Sequence, residues 1–289
     1  MKSRTSSTRW RWWGSDMTGT TGTVIGCIGC GNMGAAILRG LSGREGLSLL
    51  GYNPTPAKVL ALADVGVRAM PDAAALASQA DVVLLGVKPY MVPEVLRAIA
   101  PSLAPGKVVV SIASGVSIAA MKAAIAEAGG PECPVVRVMP NTPAMVGKGV
   151  YALCFEDPAL GPAQRDMVRG LFEAIGTAIV LPESKFTAFT AVVGCGPAYV
   201  FYFMEAVTEV AVTLGFTRQD ATELVKGLFS GSVALAEQSG THLSVLREQV
   251  CSPAGNTIAA MNQLDREAVR GRIMDAVLAA YKRGLEMEK

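Results

Sequence analysis

From Thr23 to Leu181 the chain alternates short, β-branched apolar runs with stretches of helical period. The runs predict strands at Thr23–Gly29, Leu49–Asn53, Val67–Met70, Val82–Val87, Lys107–Ile112, Pro134–Met139, Gly149–Phe155 and Thr177–Leu181. Helices between them are expected to start near Asn32, Pro56, Asp72, Pro93, Ser117 and Pro162, where capping residues or prolines stand. Uninterrupted runs such as VVLLGV and VVVSIA belong to strands covered on both faces, as in parallel sheets. Strand–helix alternation then predicts a doubly wound, mostly parallel α/β domain of Rossmann type over residues 23–182. After Glu183 the strand pattern stops. Helices are expected at Lys185–Val193, Pro197–Leu214, Arg218–Glu237, Ser244–Val250, Pro253–Asn262 and Arg266–Met287, an all-α domain over residues 183–289.

Residues 186–204, FTAFTAVVGCGPAYVFYFM, carry no charge. The GCGP interruption and the glutamates at 205 and 209 argue for a buried helix pair rather than a membrane span. The segment is too apolar for a monomer's surface, so a homodimer at least is expected. Residues 1–22 are basic, rich in Ser and Thr, and hold all three tryptophans. They fit a transit peptide or a disordered leader with Met17 as the start, and we take the leader.

Composition narrows the function. At 51% hydrophobic and 17% charged residues, 289 residues can build a sizeable core. A net charge of +2 does not suit a nucleic-acid binder. One histidine, His242, rules out a histidine-rich metal centre, and no metal is expected. The six scattered cysteines suit a reducing cytoplasm. Cys27 and Cys30 form a CxxC, but across a strand and its turn, so they read as packing residues.

Gly29-Cys30-Gly31-Asn32-Met33-Gly34 is a GxGxxG between a predicted strand and helix, the context a dinucleotide site requires. Gly29 would make the turn, Gly31 admit a pyrophosphate, and Gly34 allow close helix–strand packing. The plain alternative is a structural tight turn. Asn53, with Lys58 close behind, ends the second strand where an NAD site usually carries a carboxylate. This favours NADPH, with NADH as a poorer donor, unless Asn53 only caps a turn. Val87-Lys88-Pro89 and Met139-Pro140-Asn141 stand at two further strand ends, as cofactor-pocket walls or as solvated turns. Val250–Asp265, VCSPAGNTIAAMNQLD, reads as a turn entering a helix, with Ser252 as N-cap and Pro253 at the first helical position. First-turn amides without intrahelical partners can hold a small carboxylate, and Thr257 adds a hydroxyl there. An ordinary capped helix is the alternative.

IGCGNMG, VKP, VVRVMPNTPA, GCGPAYVFYFMEA and CSPAGNTIAA, in that order, make the chain resemble the pyrroline-5-carboxylate reductases from about Val24 onward. The resemblance implies a Rossmann domain plus a helical dimerisation domain, often assembled into rings of dimers. It also implies NAD(P)H-dependent reduction of 1-pyrroline-5-carboxylate to L-proline, the last step of proline synthesis. The substrate carboxylate would fall to Ser252, Gly255 and Asn256, and the ring nitrogen to Thr257 as the catalytic residue. Ala254 departs from the glycine usual after the proline, Asn256 from Thr, Ser or Ala, Leu243 from proline, Pro54 from an arginine, and Tyr90 from glutamine. Two other readings remain: a β-hydroxyacid or 6-phosphogluconate-type dehydrogenase, and a non-catalytic NADPH-binding module. The first wants a lysine on the helix after Pro197, which has none before Lys226. Because residues 1–16 lack core periodicity, a chain starting at Met17 should keep full activity and melting temperature, checked by thermal denaturation of both forms.

Overall fold

The computed structural model describes residues 22–287, so the proposed leader lies, apart from Gly22, outside the described residues. The chain divides into two compact units, the first ending at Glu183 and the second starting at Ser184.

The first unit is an eight-stranded sheet: β1 Thr23–Ile28, β2 Leu47–Tyr52, β3 Val67–Ala69, β4 Val82–Leu85, β5 Val108–Ser111, β6 Val135–Met139, β7 Gly149–Cys154 and β8 Gly176–Val180. The spatial order is β3-β2-β1-β4-β5-β6-β7-β8. Pairs within β1–β6 are parallel, β7 runs antiparallel to β6, and β8 is parallel to β7. Every residue of β4 and β5 is buried, as the continuous apolar runs require. The order 3-2-1-4-5-6 places a topological switch point between β1 and β4, outside whose carboxyl ends ligands bind in such folds.

The connecting helices are α1 Asn32–Leu41, α2 Ala57–Leu60, α3 Ala73–Gln79, α4 Val92–Ile99, α5 Ile118–Glu127 and α6 Pro162–Glu173. Asp72 caps α3 by accepting from the Ala75 amide at 2.7 Å, and Ser117 caps α5 by accepting from the Ala120 amide at 3.1 Å. The sequence places strand β4 two residues too far. It ends at Leu85 because Gly86 turns away against the backbone of Gly29.

The antiparallel end of the sheet is pinned by Asp157, which follows β7. Its side chain is fully buried and accepts from Lys122 Nζ at 2.7 Å, the Val135 amide at 2.8 Å and the Ala159 amide at 2.9 Å. Burial alone would raise the Asp157 pKa. The Lys122 bond and the two amides outweigh it and hold the carboxyl below its ordinary value.

The second unit holds α7 Phe186–Phe189, a π turn over Thr190–Gly194, α8 Gly196–Thr213, α9 Arg218–Ser239, α10 Leu243–Val250, α11 Asn256–Arg266 and α12 Val269–Met287. In the π turn the Cys195 amide reaches back five residues to the Thr190 carbonyl at 2.8 Å, just before Gly196-Pro197. Among the described residues, α8, α10, α11 and α12 bury no side chain. Phe201, Tyr202 and Leu214 are 64%, 71% and 74% exposed, so this unit does not cover its own apolar surface. The stretch Glu183–Thr213 is, by length and composition alone, apolar enough to cross a membrane.

Asp157→Asn should lower stability by about 1.5–3 kcal/mol, the worth of hydrogen bonds to a charged group. A carboxyl whose folded pKa is depressed stabilises fully above its unfolded value of about 4 and loses that contribution as pH falls through the lower folded value. The variant's melting temperature, followed between pH 7 and pH 3, should therefore fall less steeply on acidification than that of the wild type.

Candidate active site

The glycine-rich turn is shaped by three backbones in contact. Gly29 has φ +97, a left-handed conformation glycine takes without strain, and its amide donates to the Tyr52 carbonyl at 2.8 Å. A Cβ on Gly86 would lie 2.4 Å from the Gly29 carbonyl oxygen, and one on Gly34 2.5 Å from the same atom. Side chains are excluded at both positions by packing. Gly31 differs: a Cβ there would meet nothing within 4 Å. Open space at Gly31 lies at the N-cap of α1, which has no side-chain cap and no acid in its first turn. Backbone amides facing free space at the positive end of a helix fit a pyrophosphate. Asn32 is exposed and Met33 half-buried on that first turn.

Beneath the turn lie the two sulfurs. The Cys30 thiol sits 3.7 Å from the carbonyls of Cys27 and Tyr52. A hydrogen bond between the two free thiols raises the Cys27 pKa, with burial adding to it, and lowers that of Cys30. Both sulfurs are buried and are part of the packing.

Asn53 follows β2 and donates from Nδ2 to the Thr55 carbonyl at 3.3 Å, so it shapes the turn into α2. Lys58 is exposed on α2, and no carboxylate stands between it and the end of β2. Val87 is half-buried beyond β4, and Lys88 and Pro89 are exposed; Lys88 starts a 3-10 turn by accepting from the Met91 amide at 2.9 Å. Met139 ends β6 half-buried. Asn141 is buried, and its Oδ1 accepts from the Val150 amide at 2.9 Å, bracing the loop between β6 and β7.

In the second unit, the Ser252–Thr257 segment differs from the expected capped helix. α11 begins at Asn256, with Gly255 as N-cap, so Ser252 is not the cap and Pro253 is not helical. The Gly255 amide donates to the Ser252 carbonyl at 3.1 Å, closing a turn with Pro253 second and Ala254, at φ +57, third. Proline followed by a positive φ marks a type II turn, and a left-handed residue cannot continue a right-handed helix. A Cβ on Gly255 would lie 2.3 Å from Ser252 Oγ and 3.2 Å from the Ser252 carbonyl oxygen, so a side chain there would displace the exposed serine hydroxyl. Thr257 is the second helical residue and half-buried; Ser252 and Asn256 are exposed. The N-terminus of α11 has no side-chain cap and no acid in its first turn. His242 is the N-cap of α10, its Nδ1 accepting from the Ser244 amide at 3.3 Å.

Gly86 escaped the reading of the sequence because it continues an apolar run. Its signal was there, a glycine interrupting a buried strand, which marks a close backbone approach.

A switch-point glycine turn beside an uncapped α1, followed by a helical unit, defines a two-unit NAD(P)-linked oxidoreductase. A family model described as pyrroline-5-carboxylate reductase dimerisation matches residues 183–287, and one described as NADP oxidoreductase, coenzyme F420-dependent, matches residues 24–115. The pyrroline-5-carboxylate reductase of Escherichia coli is 36% identical over 270 residues, covering 92% of this chain and 98% of that protein. That of Corynebacterium melassecola is 37% identical over 273 residues, covering 92% and 99%. The crystal structure of the Plasmodium falciparum pyrroline carboxylate reductase with NADP bound superposes with a TM-score of 0.83 at 28% identity, covering 94% of this chain and all of that one. This chain belongs to the pyrroline-5-carboxylate reductase family.

The glycines make opposite predictions. Gly31→Ala adds a methyl into open space, so its melting temperature should match the wild type while NADPH affinity falls on the order of tenfold, read by fluorescence titration. Gly34→Ala forces backbone to move and should lower the melting temperature as well.

Proposed function

We propose a division of labour within an NAD(P)H-dependent enzyme that reduces 1-pyrroline-5-carboxylate to L-proline. In this reading the turn Gly29, Cys30, Gly31, Asn32, Met33 and Gly34 holds the pyrophosphate, through the free amides at the start of α1. Asn53 and Lys58 take the adenosine ribose and its phosphate, which favours NADPH over NADH. Val87, Lys88, Pro89, Met139 and Asn141 form the walls on the nicotinamide side. When bound, NADPH supplies a hydride to the imine carbon, and one proton completes the amine.

The observation that carries the substrate assignment is the uncapped N-terminus of α11 behind a type II turn closed onto the Ser252 carbonyl. The amides of Asn256 and Thr257, with the Ser252 hydroxyl, bind the carboxylate, and Gly255 leaves room for it beside the turn. The Thr257 hydroxyl orients the ring nitrogen. A protonated cyclic imine is already electrophilic, so alignment does most of the work and no acid–base dyad is needed. We also propose that the exposed faces of the helical unit meet a second copy, that dimers build a ring, and that the enzyme works in the cytoplasm. The apolar α7–α8 stretch is then a subunit contact and not a membrane span, since its exposed Phe201 and Tyr202 need cover.

Thr257→Ala removes one hydrogen bond to a charged group, worth about 1.5–3 kcal/mol, or on the order of ten- to a hundred-fold in kcat/KM for the imine. NADPH affinity should stay constant, and Thr257→Ser should retain most activity. Steady-state kinetics on both variants checks this. An alanine variant with wild-type kcat/KM would leave recognition to the backbone amides alone.

A further inference from the structure

Among the described residues of the first unit, the large apolar side chains left exposed are Leu60, Tyr90, Met145, Val146, Ile179 and Val180. Ile179 and Val180 lie on β8, the edge strand of the sheet. The other four all follow the carboxyl ends of strands: Leu60 after β2, Tyr90 after β4, and Met145 and Val146 after β6. Apolar surface gathered at the ligand edge of such a sheet marks a binding groove. Tyr90 is the one aromatic among them and, at 81%, the most exposed.

The path of the chain keeps that ring beside the nucleotide turn. A Cβ on Gly29 would lie 2.8 Å from the Val87 amide nitrogen, so the segment leaving β4 begins in contact with the turn. Three residues span at most about 11 Å, which bounds the distance from Val87 to Tyr90. Pro89, with the Met91 amide donating to the Lys88 carbonyl at 2.9 Å, fixes the stretch as a 3-10 turn. α4 then buries Val92, Leu96 and Ile99, so the residues after Tyr90 serve the core and its ring does not. A dinucleotide brings two planar bases to this edge, and either stacks on an exposed ring.

We propose that Tyr90 is a shelf on which one base of NADPH stacks, a cofactor-binding residue beyond those of the glycine turn. The inference rests on the reading of that turn as the pyrophosphate site.

The test reads binding and not turnover. Full-length wild type, Tyr90→Ala and Tyr90→Phe are titrated calorimetrically with NADPH, with 2′-phospho-AMP as its adenine half, and with reduced nicotinamide mononucleotide as its other half. Removing an aromatic shelf costs on the order of five- to a hundred-fold in affinity for each stacked base. Tyr90→Ala should lose NADPH affinity by that factor and lose affinity for one half-ligand only, which identifies the stacked base. Tyr90→Phe keeps the ring and should bind NADPH within about twofold of the wild type. The melting temperature without ligand should not move, because the side chain is exposed. An alanine variant with wild-type NADPH affinity overturns the shelf, and so does a loss for both half-ligands or for neither. A variant that binds NADPH normally but turns monomeric by light scattering also overturns it, and gives Tyr90 to a subunit contact. A wild-type protein that binds no NADPH overturns the reading of the glycine turn, and this inference with it.

Discussion

Everything at the nucleotide end depends on a close approach of three backbone segments. The turn after β1, the first turn of α1 and the turn after β4 meet at the Gly29 carbonyl oxygen, with no room for a Cβ on Gly34 or Gly86. That contact sets the angle at which α1 leaves the sheet, and so aims its free amides at the space over Gly31. A packing constraint thus shapes the proposed anion site: the glycines that cannot vary sterically surround the one whose side would be open.

The helical unit is under a different constraint. Its large apolar side chains lie exposed along α8, α9 and α12, while its buried residues are few and centred on α7 and the start of α9. A single chain of this composition lacks the core such a unit needs, which accords with its match to a dimerisation family.

The eight strands were legible because buried parallel strands leave continuous β-branched runs, and the glycine turn because its spacing falls between a strand and a helix. The ends were less legible. β4 was extended through Gly86, since hydrophobicity cannot report that a backbone has turned. The start of α11 was misplaced because Ser-Pro reads equally as a helix cap or as the opening of a type II turn. The φ of Ala254 decides between them, and no pattern of polar and apolar residues encodes it. The half-buried pairing of Arg137 with Glu183 at 2.9 Å escaped for a related reason, since its partners lie 46 positions apart.

Product analysis tests the central claim most directly. Purified protein, shown by light scattering to be at least dimeric, is mixed with NADPH and 1-pyrroline-5-carboxylate, and nucleotide oxidation is compared with chirally resolved proline. The account predicts one L-proline formed for each NADPH oxidised, and no oxidation without the imine. Folded, dimeric protein that forms no proline, or that oxidises NADPH independently of the imine, would contradict it.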